Sequence, residues 1–448
     1  MSDVTNAAAD VGAMAPGPQN SLRAAADRGR GALASLEIDT RLLGMLVATA
    51  IIWIGFNIGS GGLFLTSRNL WNLSVQSASI AIMASGMVLI IVSRNIDLSV
   101  GSVLGLLGYT MAMVQVVWLP SNFGVALGTP WIWLVALAVG LVLGAAIGVV
   151  QGVLVAYGGI PAFIVTLGGF LVWRGMIFQE GMQGQTIAPV DDTFALLGGG
   201  PNGAVGLWPS WVLGALGCAG VIYLLVSRRR ERSRYGFPVR PPWALVTLMV
   251  AGCAGILGAV WVANNYFWPA ALATQYAKAH GVVEPAGGLL IPTGIAIPVV
   301  IMLGVTLIMT IIATRLRFGR YVFAIGGNPE AAELGGINVR RVIVGTYVLM
   351  GVLCAISAAV QTARLDAAVT NLGFQNELDV IAAAVIGGTS FSGGIGTIPG
   401  AVLGAVVMQS LRSGMVMMKV DSPMQDIVVG CVLVAAVGLD QFVHRHST

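Results

Sequence analysis

The sequence predicts an all-α fold, a polytopic bundle of transmembrane helices. Three observations carry that expectation. Only 9% of the 448 residues are charged while 56% are hydrophobic, and a soluble domain carries about 25% charge. The apolar residues gather in about twelve runs close to the ~20 residues that cross a bilayer. Arginine concentrates in the breaks that would share one side of the membrane.

The runs occupy residues 42–65, 73–92, 100–119, 131–157, 160–178, 208–226, 243–262, 291–313, 342–361, 378–387, 397–415 and 424–439. The run at 378–387 is only a short apolar piece. Trp131, Trp133, Trp208, Trp211 and Trp243 open spans, as interfacial anchors do. With the N-terminus inside and the sides alternating, 17 of the 23 basic residues fall inside. The inside set holds the dense clusters at 228–240 and 315–341. Arg68, Arg174, Lys278, Arg364, Arg412 and Lys419 are the exceptions. The skew selects an N-in, C-in orientation. Residues 1–40 are Ala-rich and polar, with no apolar stretch leading to a cleavage site, and read as a disordered cytoplasmic tail. Residues 41–442 form the membrane domain and 443–448 a second cytoplasmic tail. Gly140, Gly144, Gly148 and Gly152 recur every fourth residue, a small-residue face on which another helix packs closely.

Composition also excludes functions. The basic residues sit in short clusters between apolar runs and form no stripe for nucleic acid. The four cysteines, Cys218, Cys253, Cys354 and Cys431, fall in apolar runs and suit small buried hydrophobes. His280, His444 and His446 have no zinc spacing, so no metal site is expected. Lys278 and Lys419 lie in no phosphate-binding loop, so the chain cannot hydrolyse ATP by that route. No nucleophile–base pair is apparent. An enzyme is not expected.

Three motifs remain. The break Asn95-Ile96-Asp97-Leu98-Ser99-Val100-Gly101 places a carboxylate at a segment end. Asp97 or Ser99 can cap the first amides of the next helix, with Arg94 neutralising Asp97; the break can also line a pathway. Gly101-Ser102-Val103-Leu104-Gly105 is echoed by Gly400-Ala401-Val402-Leu403-Gly404, which follows a second break containing Thr389 and Ser390. Both breaks would face the same side, so the repeat is parallel, and interrupted helices in matching positions point to a transport path. The candidate pathway residues are therefore Asn95, Asp97, Ser99, Gly101, Thr389 and Ser390. Between 314 and 341, Asn328 reads as an N-cap and Pro329 as a first-turn proline. Glu330 suits the helix dipole, Ala331 and Ala332 give a small surface, and Gly335-Gly336 stops the helix. A bare connector does not need such a capped two-turn helix, and a docking element for a cytoplasmic partner does. The third motif, Arg228–Arg234, reads as a positive-inside stop signal, or as a contact for anionic lipid or a partner.

These residues resemble the sugar permeases of bacterial ABC importers, the ribose/xylose/arabinose branch. The likeness rests on Ile96–Gly101, on Ala324-Ile325-Gly326-Gly327-Asn328 through Ile337-Asn338, and on Glu377-Leu378-Asp379 through Gly387-Gly388-Thr389-Ser390, and runs from about 42 to 442. The spacing from Glu330 to Gly336 is similar to the loop by which such permeases dock on their ATPases. Ribose-type members have ten spans. The extra pair here, about 208–263, resembles xylose-type permeases and makes xylose the first choice. The resemblance implies a type II importer in the bacterial inner membrane. It comprises a permease homodimer, a cytoplasmic sugar-importer ATPase that holds ATP and Mg, and a periplasmic sugar-binding protein. This chain itself would hold no cofactor. Ribose, arabinose, inositol, nucleosides or a quorum signal are alternative cargoes. An ion-coupled sugar symporter is a rival, and it would need a mid-span acid, whereas Asp97, Glu377 and Asp379 are expected at segment ends.

Overall fold

The computed structural model describes residues 40–179, 185–285 and 287–445. Residues 1–39 of the expected N-terminal tail and the last three residues of the C-terminal one, 446–448, lie outside the described residues. In chain order the helices are α1 (Thr40–Gly59), α2 (Ser67–Val92), α3 (Val100–Phe123), α4 (Ile132–Ala156), α5 (Ala162–Ile177), α6 (Leu207–Arg234), α7 (Pro242–Asn264) and α8 (Ala270–His280). They continue with α9 (Ile297–Thr314), α10 (Arg317–Gly327), α11 (Pro329–Leu334), α12 (Val339–Leu365), α13 (Asn376–Ile386), α14 (Ile398–Met417) and α15 (Ser422–Arg445). Among the described residues extended backbone forms only isolated bridges, such as Ala204 with Ala296 and Phe267 with Pro292.

Among the described residues nine helices are long and apolar enough to cross a membrane: α1 to α4, α6, α7, α9, α12 and α14. All twelve expected runs are helical, but three are shorter as apolar units. Those are α5, α13 and the Ser422–Ala435 portion of α15. The 11 residues of α13 cover about 16 Å, half a bilayer.

Local chemistry sets the ends. Thr66 accepts from the amide of Asn69 at the start of α2, and Asn338 from that of Arg341 at the start of α12. In α3 the turn Val114–Trp118 is widened to π geometry just before Pro120, which has no N–H to continue the ladder.

The chain divides into two compact units. In the larger one, residues 41–214 and 257–448, the helices α2 and α3 are buried almost throughout. They pack with α12, α13 and α14. Helix α4 lies antiparallel along α12. A side chain at Gly144 would meet the backbone of Gly351, one at Gly148 that of Tyr347, and one at Gly152 that of Val344. Gly140, the fourth member of the stripe, instead faces the side chain of Met111 on α3.

The second unit contains residues 215–256, the middle of the α6–α7 hairpin. Here Gly217 faces Ile256 and Gly252 faces Val221. The Arg228–Arg234 segment, expected as a loop, continues α6 as helix. Arginine has good helix propensity, and nothing between 226 and 234 breaks the turn. The stretch 264–290 likewise contains a helix, α8, ended by Gly281 at φ 65°.

Candidate functional site

At the arginine-bearing end, α10 delivers the chain to a capped helix. Asn328 Oδ1 accepts from the amide of Ala331 at 3.0 Å, Pro329 opens the turn, and Gly336 at φ 82° ends α11. Ala332 is buried and anchors the helix, while Glu330, Ala331 and Glu333 are exposed. Leu334 is 91% exposed. Sequence reasoning passed over Leu334, which ends the short capped helix after Ala331 and Ala332.

The first break rises from this same place. Arg94 adopts a left-handed conformation, φ 63°. Its Nε donates to the carbonyl of Gly326 at 2.7 Å and its Nη2 to that of Gly327 at 2.8 Å. These carbonyls close the C-terminus of α10, where a cation is favoured. The expectation that Arg94 neutralises Asp97 is therefore corrected: the guanidinium turns to a helix end more than two hundred residues away. The amide of Gly394, in the second break, donates to the carbonyl of Val92 at 3.0 Å. So the last turn of α2, the C-terminus of α10 and the loop 388–396 meet at one junction, one residue before the cap of α11.

Asp97 lies deeper and is 2% exposed. Its Oδ1 accepts from the Ser99 amide at 2.8 Å and from the Ser99 hydroxyl at 2.6 Å. Gln151 Nε2 of α4 donates to that same hydroxyl at 2.7 Å. Asp97 thus closes a turn onto Ser99 rather than capping the first amides of α3. Asn95 folds back, donating to the carbonyl of Ser93 at 3.0 Å. A side chain at Gly101 would strike Glu377 and the carbonyl of Gly373. Helix register fixes the depth. Cys354 Sγ donates to the carbonyl of Val100 at 3.8 Å, and Cys354 lies about 22 Å along α12 from Val339 at 1.5 Å per residue. Helix α3 starts midway along its neighbour. Asp97 and Glu377 do lie at segment ends, as expected, but those ends are buried inside the bundle, because the break climbs and α13 begins against Gly101.

The second break is built differently. Gly388, Gly393 and Gly394 all have positive φ. Ser390 and Ser392 share a hydroxyl contact of 2.8 Å, and the Ser390 amide donates to the carbonyl of Ile395. Thr389 is 1% exposed, and its hydroxyl has no hydrogen-bond partner. Thr397 then caps α14 at the amide of Gly400.

Five of the six arginine and lysine exceptions to the orientation pattern lie in helices, Arg68 in α2 and Lys278 in α8 among them. Arg174, on α5, donates to the carbonyls of Thr370 and Leu372 at 3.0 Å each. Arg412, on α14, is paired with Asp379 at 2.9 Å and with Asp426 at 3.6 Å. Arg364 closes α12.

Comparison with known proteins follows the same outline. A family described as the permease component of branched-chain amino acid transport systems matches residues 69–437. The xylose transport system permease protein of Escherichia coli strain K12 is 35% identical over 92% of this chain and 94% of its own length. The corresponding protein of Haemophilus influenzae is 34% identical over 88% and 95%. The ribose import permease protein of Escherichia coli strain K12 is 32% identical over 84% and 87%. No solved structure matches the chain.

Proposed function

The chain belongs to the family of transport-system permease components, and from that premise we propose that it is the membrane-spanning subunit of an ATP-driven ABC importer for a pentose, xylose before ribose. It is a multi-pass membrane permease. The observation that carries the cargo is the extent of the match. Named xylose permeases align over nearly the whole chain, and the ribose permease over less of it. The extra pair α6–α7 suits the longer partner.

In this reading the arginine-bearing end faces the cytoplasm of a bacterium whose inner membrane holds the protein, and the Arg228–Arg234 turns of α6 sit against anionic lipid headgroups. Two copies pair to form the pathway. A separate ATPase, carrying ATP and Mg, docks on α11, with Leu334 entering its surface and Glu330 and Glu333 facing basic groups. A periplasmic binding protein delivers sugar at the opposite end. Closure of the ATPases pushes Pro329–Leu334. The push passes through Asn328 to the Gly326 and Gly327 carbonyls, and Arg94 carries it to the root of α3. Gly394 carries it towards the root of α14. Two helices that begin inside the bundle then tilt against α12, switching access. Asp97, Ser99 and Gln151 keep the first break rigid enough to transmit the motion. Weak, transient hydrogen bonding suits such a route, because tight binding would slow release.

The test is uptake of labelled D-xylose in cells carrying the chain with its neighbouring ATPase and binding protein. Uptake should persist when the proton gradient is collapsed at normal ATP. Loss under that condition would make the protein a symporter instead. Glu330→Lys reverses charge on the docking surface and should cut uptake at least tenfold with the permease still inserted. Normal uptake in that variant removes the docking role of α11.

A further inference from the structure

At the end of the larger unit opposite the arginines lies a cavity of about 170 Å³ among α2, α12, α13 and α14. Each helix contributes one polar pair at helical spacing: Gln76 and Ser79, Gln361 and Arg364, Asn376 and Asp379, Gln409 and Arg412. Residues three or four apart share a helix face, so four separate faces converge here. The pairs also bond across helices. Gln409 Nε2 donates to Gln76 Oε1 at 2.6 Å, Asn376 Nδ2 to Gln361 Oε1 at 3.2 Å, and Arg412 forks onto Asp379.

Bracing alone does not require this lining. A carboxamide offers two donors and two acceptor positions, and each of these bonds uses one. Polar side chains around an open space settle against water or a polar ligand. The space equals roughly five or six waters at about 30 Å³ each, or one monosaccharide ring in their place. Its charge is nearly balanced. Asp379 is held by Arg412, and Arg364 leaves a small positive excess that disfavours a cation. Phe374 also lines the cavity, 58% exposed, with the Arg174 guanidinium over its ring at 5.7 Å and the rest of the ring presented outward. Neutral carboxamides, a closed carboxylate–guanidinium pair and an aromatic ring together fit a neutral polyhydroxylated ring: hydroxyls to the amides, C–H face to the phenyl.

We infer that this cavity is a receiving site for the transported monosaccharide, occupied after release at the outer end and before the path passes the break at Asp97. Both the occupant and the cavity's place on a route rest on the sugar-importer reading. No sequence motif announces it, because its members come from four segments separated by up to 333 residues.

The test uses the whole transporter in proteoliposomes, with D-xylose, D-ribose and L-arabinose as probes. Gln76→Trp fills the cavity and should lower uptake at least tenfold, while ATP hydrolysis stimulated by the binding protein stays within twofold of the parent. Gln409→Leu keeps the volume and removes hydrogen bonding. It should change the ratio of D-xylose to L-arabinose uptake at least threefold, and it serves if Gln76→Trp does not assemble. Unchanged uptake and an unchanged sugar ratio overturn the inference. Loss of uptake and stimulated hydrolysis together, in assembled protein, also overturns it, since that is the mark of a structural brace. A parent that moves no monosaccharide overturns the importer reading and with it the occupant.

Discussion

The two breaks occupy matching places in the chain, each preceding a helix that starts inside the bundle, yet they are held by different means. The first is stapled by side chains. Arg94 grips a helix end, and Asp97, Ser99 and Gln151 form a continuous buried relay. The second is held mostly by backbone, with glycines at positive φ and a threonine hydroxyl that bonds to nothing. The lesson is that two similar breaks are fixed by different means: the side-chain staple ties one helix root to the end of α10, and the second loop holds itself through its own backbone.

That contrast is broken most directly at Arg94. Arg94→Met removes two charge-assisted bonds and leaves a non-glycine residue at φ 63°. We expect a loss of about 3 kcal/mol in the unfolding free energy of the purified permease, and uptake down more than tenfold. Arg94→Lys should recover part of both, because it restores charge without the fork. Equal behaviour of the Met variant and the parent in thermal unfolding and uptake would mean that the staple carries nothing.

Asp97→Ala comes next. It orphans the Ser99 amide and hydroxyl in a buried site, at a cost of about 2 kcal/mol. Because Gln151 is bonded to the same hydroxyl, Gln151→Ala combined with Asp97→Ala should cost less than the sum, read in a double-mutant cycle. Strict additivity would show that the relay is not a unit.

Gly394→Ala probes the second break. A methyl at φ 74° is strained by about 1 kcal/mol, and the uptake rate should fall more than stability does. The smallest effect is expected for Thr389→Val. It removes a hydroxyl that has no partner, so melting should stay within about 0.5 kcal/mol of the parent or rise. A large loss would show that this hydroxyl is engaged by something the transport cycle brings to it.

Much of the fold was legible in the sequence because membrane helices are written in local composition. The apolar runs, the charge deficit and the glycine-marked break after Ile386 each follow from residues near one another. The cap of α11 was legible for the same reason: Asn328, Pro329 and Gly336 act on their own backbone. Arg228–Arg234 was misread as loop because charge density was taken for a break, although arginine sustains a helix. Arg174 and Arg412 stood only as exceptions to the orientation pattern, because their partners, Thr370, Leu372 and Asp379, lie at unrelated positions in the chain.

The sequence by itself determined what the solvent is, where the apolar helices run, and that two of them are interrupted. Tertiary structure decided where the interruptions lie and what they touch. It set Asp97 midway along α12, turned Arg94 away from Asp97 and onto the end of α10, and gathered Gln76, Gln361, Asp379 and Gln409 around one cavity. The reason is physical. Capping and periodicity act over a few residues, whereas depth, ion pairing and cavity lining are relations between helices that only packing brings together.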